Sequence, residues 1–268
     1  MVCRSSKLRA SCAQNPIADG VALPLMNATA ATSALAGQLA EMGHATLPQL
    51  YTAAEVAGLL DCIETAPAAG PNFRRSQDVF AIRNLLGEVP ALWPLLDTAV
   101  LRGLLGELFP AGCHLTKGIY FDKPAGSNWL VAWHQDLMIN VDRRAADLPS
   151  FGPWTTKAGW VAVQPPVAVL EDTVTIRLHL DDCDATNGAL KVVPGSHLGG
   201  VVPAETIATH TAAATVCAVP AGGAMLMKPL LLHASNRSTS DRPRRVIHLE
   251  FSATELPEGL AWCERREL

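Results

Sequence analysis

The sequence predicts a mainly β protein with flanking helices, an α+β chain in which a helical layer precedes a jelly-roll core. Three observations support this fold class. Helical patterns are concentrated before Pro110, about eight short β-rich runs follow it, and no helices alternate with those runs. Alternating helices would indicate a parallel α/β sheet, whereas many short strands at regular spacing favour a sandwich or jelly roll.

The helical part extends from Thr29 to about Gly106. The segment ATSALAGQLAEMG ends on a glycine, which is typical of a helix end. The next segment, TAAEVAGLLDCIE, begins with Thr52 as N-cap and has Glu55 three residues later, which is the pattern of a capping box. LWPLLDTAVLRGLLGELF continues in the same manner. These segments predict the helices of the outer layer.

The predicted strands are short runs bounded by turn residues. They are CHLTKGIYF, WLVAW, WVAV, TVTIRLHL, ALKVV, TVCAV, AMLM and RVIHLEF. Asn187-Gly188, between two of these runs, predicts a hairpin turn. We find no internal repeat and no inter-domain linker, so residues 26–268 are expected to form one domain.

Composition indicates a chain that can bury a sizeable core. Hydrophobic residues make up 49% of the 268 residues and charged ones 17%, and the net charge of −4 gives no general attraction to nucleic acid or anionic membranes. No uncharged apolar run approaches the roughly 20 residues that span a bilayer. The seven cysteines are widely spaced without a C-x-x-C pair, as is typical of a reduced, cytoplasmic protein. We therefore expect neither a nucleic-acid nor a membrane partner.

Residues 1–25 carry Ser, Cys, Pro, Asn and Gly without any periodicity. We interpret them as a disordered extension that precedes the domain. A transit peptide is the alternative, but it would require an amphipathic pattern, and none is present.

The segment AWHQDLMIN places His134 and Asp136 two residues apart after an apolar run. Residues i and i+2 of a strand point to the same side, so the imidazole and the carboxylate can face one metal ion. Two histidines and one carboxylate are the ligands of non-heme Fe(II) oxygenases. The chain also contains an H-x-D at 179–181 and an H-x-E at 248–250, so spacing alone does not select the pair. A packed core histidine and a closed zinc site are further alternatives.

Three segments together resemble the phytanoyl-CoA dioxygenase family of Fe(II)/2-oxoglutarate oxygenases: WHQD, RLHLDDCDATNGALKVVPGSH and LLLHASNRSTSDRPRRVIHLEF. The resemblance extends from about Gly43 to the C-terminus. It implies a double-stranded β-helix, which is a cupin-like jelly roll, with Fe(II) and 2-oxoglutarate as cofactors. It also implies that His134, Asp136 and His233 bind the metal, and that Arg244 binds the C5 carboxylate of 2-oxoglutarate.

The resemblance implies roles for residues around the cofactors. Ser235 matches a position whose hydroxyl helps to hold the same carboxylate, and Thr175 is predicted to bind the cosubstrate with it. Lys117 falls where relatives place a polar residue that contacts 2-oxoglutarate, with a solvated surface lysine as the alternative. His179 and Asp181 match framework positions instead of ligands.

The reaction implied is hydroxylation of an unactivated C–H bond of a small molecule, which consumes O2 and releases succinate and CO2. Desaturation, cyclisation or epimerisation with the same cofactors is an alternative outcome. A cupin-like protein that binds a ligand without redox chemistry is the alternative from another class. Such a protein does not require a carboxylate-binding arginine beside three metal ligands.

Arg177 is predicted to contact the substrate. In TVTIRLHLDD the alternation sends Val174 and Ile176 toward the helices and Arg177 toward the mouth of the barrel. A guanidinium is costly to bury unless it meets an anion. Arg177 is therefore expected to bind a carboxylate-bearing substrate, such as an amino acid. Pairing with Asp181 or Glu250 is the alternative.

Trp154 is the second predicted substrate contact. It lies in the long connection from Val141 to Trp160, and a connection of this length within a compact domain is typical of a flap over a substrate. A packed surface excursion is the alternative.

Overall fold

The computed structural model describes residues 25–67, 70–75, 80–125, 129–157 and 159–268. The helices in this part of the chain are α1 (Leu25–Met42), α2 (Ala53–Glu64), α3 (Leu85–Glu88), α4 (Trp93–Leu96), α5 (Ala99–Leu108) and α6 (Val167–Glu171). The strands are β1 (His44–Leu47), β2 (Phe73–Arg75), β3 (Phe80–Arg83), β4 (His114–Lys123), β5 (Val131–His134), β6 (Ile139–Val141), β7 (Trp154–Lys157), β8 (Trp160–Val163), β9 (Thr173–His179), β10 (Leu190–Val192), β11 (Thr215–Val216), β12 (Ala224–Met227), β13 (His233–Ser235), β14 (Arg244–Ser252) and β15 (Arg266–Glu267). The predicted extension lies outside the described residues, apart from its last residue, which begins α1.

The helix ends follow the predicted signals. Helix α1 ends one residue before Gly43, whose φ of 76° is favourable for glycine. At the start of α2 the Thr52 hydroxyl accepts a hydrogen bond from the Glu55 amide, and the Glu55 carboxylate accepts one from the Thr52 amide at 2.7 Å. The third helical segment divides into α4 and α5, because the Thr98 hydroxyl caps a new helix by accepting from the Leu101 amide.

Replacing Thr52 by alanine should lower the free energy of unfolding by about 1 kcal/mol, because the amide that its hydroxyl caps loses its partner. Urea denaturation measures the change. Thr52→Ser keeps the hydroxyl and serves as the control. An equal loss in both variants would show that the threonine methyl, not the cap, provides the stability.

Two antiparallel sheets form the β core. The larger has the strand order β1-β12-β9-β14-β4-β3-β2, with β15 added to β4, and the smaller has the order β11-β10-β13-β5. An apolar cluster joins them, with Leu190 and Val192 from the smaller sheet and Met225 and Met227 from the larger. This arrangement confirms the predicted jelly roll with flanking helices.

The outer face of the larger sheet packs against the helices. Val174, Ile176 and Leu178 of β9 lie in one buried cluster with Leu59 of α2 and Leu101 of α5. Burial of each such side chain contributes about 1.5–3 kcal/mol. The alternation predicted for β9 is confirmed, so its other face is left for the interior between the two sheets.

The segment from Thr29 to Gly106 is mainly helical, as predicted, but β1, β2 and β3 also lie in it and extend the larger sheet. One local prediction was wrong. Asn187-Gly188 does not close a hairpin, because β9 and β10 belong to different sheets. Gly188 does adopt a turn conformation, with φ of 83°, and the Asn187 side chain accepts a hydrogen bond from the Asp184 amide. The turn carries the chain from one sheet to the other.

The predicted long connection contains regular structure. Strands β6, β8 and β7 form a separate three-stranded sheet in that order. Ile139, Val141 and Val163 are buried in its own apolar cluster. None of the helices in the described part of the chain combines the length and apolar character needed to cross a bilayer.

Candidate active site

The described residues contain one group of three possible metal ligands, His134, Asp136 and His233, whose ligand atoms all lie within 4.8 Å of one another. His134 ends β5 and His233 begins β13, and the two histidines are directly paired in the antiparallel register of these strands. The Asp136 carboxylate oxygens lie 3.7 Å from His134 Nε2 and 3.6 Å from His233 Nε2. Strand pairing thus brings together residues about a hundred positions apart.

The orientation of both imidazoles suits metal binding. Nδ1 of His134 lies 2.8 Å from the Ala132 carbonyl, and Nδ1 of His233 lies 2.9 Å from the Leu231 carbonyl. A carbonyl oxygen only accepts, so each Nδ1 carries the hydrogen and each Nε2 offers its lone pair to the centre of the cluster. Backbone carbonyls commonly fix metal-binding histidines in this way. The donor set therefore fits a divalent transition metal.

The charge states of His233 and Asp136 also suit metal binding. Burial lowers the pKa of His233 to about 4, although the Asp136 carboxylate opposes the shift. Burial alone would raise the pKa of Asp136, but His233, His248, His134 and Lys117 together outweigh it and the pKa falls to about 2. A metal binds neutral histidine and ionised carboxylate, and at neutral pH His233 and Asp136 are in these states.

A cavity of about 180 Å³ lies on one side of the cluster. His134, Asp136 and His233 line it, together with Phe121, Trp129, Val131, Arg177, Leu190, Ser235, Arg244 and His248. Arg244 donates to the Gly188 carbonyl through Nη1, while its buried Nε and the buried Ser235 hydroxyl have no partner among the described residues. These groups can bind a carboxylate, as the sequence predicted for Arg244 and Ser235.

Lys123 is a further basic residue close to Arg244. It is only 1% exposed, and its Nζ donates to the Asn236 carbonyl at 2.5 Å. Burial and the charge of Arg244 lower the pKa of Lys123 to about 8. This end of the smaller cavity is strongly cationic.

A larger cavity, of about 460 Å³, also borders the cluster and shares His134 and Asp136 with the smaller one. Its remaining lining residues are Arg83, Asn84, Lys117, Ile119, Gln135, Leu137, Met138, Asn140, Thr155, Trp160, Ala162 and Glu264. Burial raises the pKa of Glu264 to about 7, although a hydrogen bond from the Gly118 amide opposes the shift. A carboxyl in that state can donate or accept a hydrogen bond near neutral pH.

A chain of buried polar groups connects the two cavities. Lys117 Nζ lies 2.9 Å from Glu250 Oε1, Glu250 Oε1 lies 3.1 Å from His248 Nε2, and His248 Nδ1 lies 3.0 Å from Arg177 Nη1. Burial opposes the charge of Lys117, but Glu250 outweighs it and raises the pKa of Lys117. Lys117 is 8% exposed, so the surface-lysine alternative is wrong. Lys117 lines the larger cavity, and its contact with the cosubstrate stays a prediction.

Arg177 lines the smaller cavity, as Arg244 does, and does not line the larger one. The alternative pairings are wrong: Asp181 pairs with Arg245 at 2.7 Å, and Glu250 pairs with Lys117. The pair with Asp181 also shows that Arg245 points away from Arg244. The predicted contact of Arg177 with the substrate stays a prediction.

Three other sequence candidates do not line either cavity. Thr175 is fully buried, and its hydroxyl has no partner among the described residues. Trp154 packs against the apolar cluster of the three-stranded sheet, while Thr155 and Trp160 of that sheet line the larger cavity. His179 lies outside the metal-ligand group, as the framework assignment implied. The roles predicted for Thr175 and Trp154 stay predictions.

Sequence reasoning missed Arg83, Glu264 and Trp160 on the larger cavity, and Phe121 and His248 on the smaller one. His248 carried a signal, because it is the first residue of an H-x-E on a predicted strand. Phe121 follows from the alternation of β4, which places Lys117, Ile119, Phe121 and Lys123 on one face. Nothing in the C-terminal segment distinguishes Glu264 from its acidic neighbours.

The fold resembles solved structures of low sequence identity. SnoN, a non-heme alpha ketoglutarate dependent epimerase from nogalamycin biosynthesis, is 18% identical over 84% of this chain and 81% of that one, with a TM-score of 0.60. AviO1 from Streptomyces viridochromogenes Tue57 is 19% identical over 84% and 96%, with a TM-score of 0.62. EvdO2 from Micromonospora carbonacea var. aurantiaca, complexed with 2-oxoglutarate, is 20% identical over 84% and 94%, with a TM-score of 0.57. These likenesses show the fold.

Sequence comparison gives the family. No curated protein matches the chain. Residues 39–246, well over half of the chain, match the phytanoyl-CoA dioxygenase (PhyH) family, and the metal-ligand group and Arg244 lie inside the matched range. The chain therefore belongs to the phytanoyl-CoA dioxygenase family, and its cofactors are Fe(II) and 2-oxoglutarate.

Proposed function

We propose that this protein is a hydroxylase, which uses Fe(II), 2-oxoglutarate and O2 to oxidise an unactivated C–H bond of a small molecule. The observation that supports it is that the metal-ligand group borders two cavities. The smaller one is lined by two buried arginines, and the larger one is lined by both polar and apolar side chains. When bound, Fe(II) and 2-oxoglutarate supply the oxidant by activating O2. His134, Asp136 and His233 hold the metal, and Arg244 and Ser235 bind the cosubstrate from the cationic end of the smaller cavity.

The larger cavity is the proposed substrate site. It is adjacent to His134 and Asp136 and carries polar groups that can orient a substrate, among them Asn84, Asn140 and Glu264. Arg83 also lines it, and the Arg83 guanidinium has no partner in the described parts of the chain. Lys117, by contrast, is neutralised by Glu250. A small polar substrate is therefore favoured, and Arg83 is the group that can bind a substrate carboxylate.

The hydroxylase proposal predicts that a cognate substrate stimulates succinate formation and gains one oxygen atom. Purified protein is reconstituted with Fe(II) and 2-oxoglutarate in air, small polar acids are screened for stimulation of succinate release, and products are identified by mass spectrometry. The His233→Ala variant is the control for uncatalysed oxidation.

The mass of the product separates the possible reactions. Loss of two hydrogens would replace hydroxylation by desaturation or cyclisation, and an unchanged mass with an inverted centre would replace it by epimerisation. Tight ligand binding without any succinate would favour a binding protein without redox chemistry.

A further inference from the structure

The smaller cavity contains more positive charge than its own acids balance. Arg177 and Arg244 are 7% and 3% exposed, and both line the cavity. Asp136 is the carboxylate among the lining residues, and it belongs to the metal-ligand group. Buried guanidinium groups without an acid are costly. The cavity is therefore built for an anion with more than one charge.

Arg177 is held in one position by its neighbours. It pairs with His248 in the register of β9 and β14, and its Nη1 lies 3.0 Å from His248 Nδ1. A guanidinium only donates, so His248 Nδ1 accepts and His248 Nε2 donates to Glu250. His248 thus links Arg177 to Glu250 through its two ring nitrogens. The Arg177 guanidinium also lies 5.8 Å from the centre of the Phe121 ring.

A buried polar atom of Arg177 has no partner among the described residues and is left for a ligand. The buried Nε has no hydrogen-bond partner among the described residues, as is also true of Arg244 Nε and Ser235 Oγ. A buried donor without a partner loses about 1–3 kcal/mol of free energy, so three at one cavity indicate a ligand that supplies acceptors.

The two arginines approach the cavity from different positions. Arg177 is level with His248 in the sheet, whereas Arg244 lies four residues earlier on β14, roughly 13 Å away along the strand. Arg177 interacts electrostatically with Arg244 and, less strongly, with Asp136, and it also acts on His233, which places its charge near both Arg244 and the metal ligands. Arg244 instead contacts the Gly188 carbonyl and lies close to Lys123. An extended dianion can therefore meet one guanidinium at each end.

We propose that Arg177 is a second carboxylate-binding residue for 2-oxoglutarate, which binds the C1 carboxylate beside the metal ligands while Arg244 binds the C5 carboxylate. This assignment rests on the proposed function, since it requires 2-oxoglutarate in the smaller cavity. Lys117, Glu250 and His248 are then positioning residues, because their hydrogen bonds fix the orientation of the Arg177 guanidinium.

Truncated analogues of 2-oxoglutarate test the assignment without turnover. 4-Oxopentanoate lacks the C1 carboxylate, and 2-oxopentanoate lacks the C5 carboxylate. Binding of each compound to the Fe(II)-loaded protein is measured by calorimetry in the absence of O2. Arg177→Met should weaken binding of 2-oxoglutarate and 2-oxopentanoate by about tenfold or more and leave 4-oxopentanoate nearly unchanged.

Arg244→Met is the matched control, and it should show the opposite selectivity. Arg177→Lys keeps the charge but not the planar fork, so it should fall between the wild type and Arg177→Met. It also provides a folded variant if the methionine variant does not fold. Urea denaturation of every variant verifies that the fold is retained.

The outcomes separate the two proposals. If the wild type does not bind 2-oxoglutarate, the proposed function is wrong. If the wild type binds it but Arg177→Met binds all three compounds normally, Arg177 does not contact the cosubstrate. A uniform loss of all three in both Arg177 variants would also overturn the assignment, since it would show that Arg177 only shapes the cavity.

Discussion

Replacing His233 by alanine should abolish both Fe(II) binding and succinate formation while leaving the protein folded. His233 supplies one of three ligand atoms that lie within 4.8 Å of one another. The strands that carry His134 and His233 are fixed by pairing in the smaller sheet, so the fold does not require the metal. Bound iron after dialysis, succinate release and urea denaturation measure the three properties. We expect the same result for His134→Ala and Asp136→Ala.

His179→Ala is the matched control for this prediction. His179 is buried at 3% exposure and starts an H-x-D of its own, but it lies outside the metal-ligand group. This variant should retain iron and turnover. Loss of iron from it, with iron retained in His233→Ala, would show that the wrong pair of motifs had been chosen.

Replacing Lys117 by methionine should cost about 3–5 kcal/mol of unfolding free energy, because it leaves the buried Glu250 carboxylate without its cation. The two Lys117–Glu250 oxygen distances are both 2.9 Å, and His248 alone cannot replace the lost charge. Urea denaturation with an unchanged m-value measures the loss. The double variant Lys117→Met/Glu250→Gln should recover much of it, because the uncompensated charge is removed.

Arg102→Met provides the comparison with an exposed ion pair. Arg102 contacts Asp97 at 2.6 Å, but its side chain is half exposed, so its removal should cost far less than the removal of Lys117. Equal losses in the two variants would contradict the view that burial gives the Lys117–Glu250 pair its importance.

The sequence predicted the fold well where a periodic pattern was long. Strand β9 alternates over seven residues, so both of its faces could be assigned, with Arg177 inward. Strands β1 and β13 were missed because HATL and HAS are too short for a period to show. The prediction of a hairpin at Asn187-Gly188 was wrong for another reason. A turn residue fixes the local conformation of the chain but not which strands pair beyond it.

The three metal ligands could be predicted from the sequence, but the residues around them could be predicted only in part. His134, Asp136 and His233 could be selected because three segments resemble the phytanoyl-CoA dioxygenase family, whereas the H-x-D spacing alone did not choose among the motifs. The Lys117–Glu250 contact joins residues 133 positions apart, and nothing local to either indicates the other. The segment that contains Trp154 was interpreted as a loop, so the start of β7 was not apparent. The start of a strand decides the direction of each side chain. For this reason the sequence did not indicate that Thr155 and Trp160 line the larger cavity.

The division of the site into two cavities has an evolutionary consequence. Asn140, Thr155, Trp160 and Ala162 all come from the three-stranded sheet, and each lines the larger cavity without lining the smaller one. Mutations in that sheet can therefore change the shape of one compartment while the arginines of the other are inherited unaltered. A lineage with this architecture can diversify the molecules it accepts without re-evolving the chemistry applied to them.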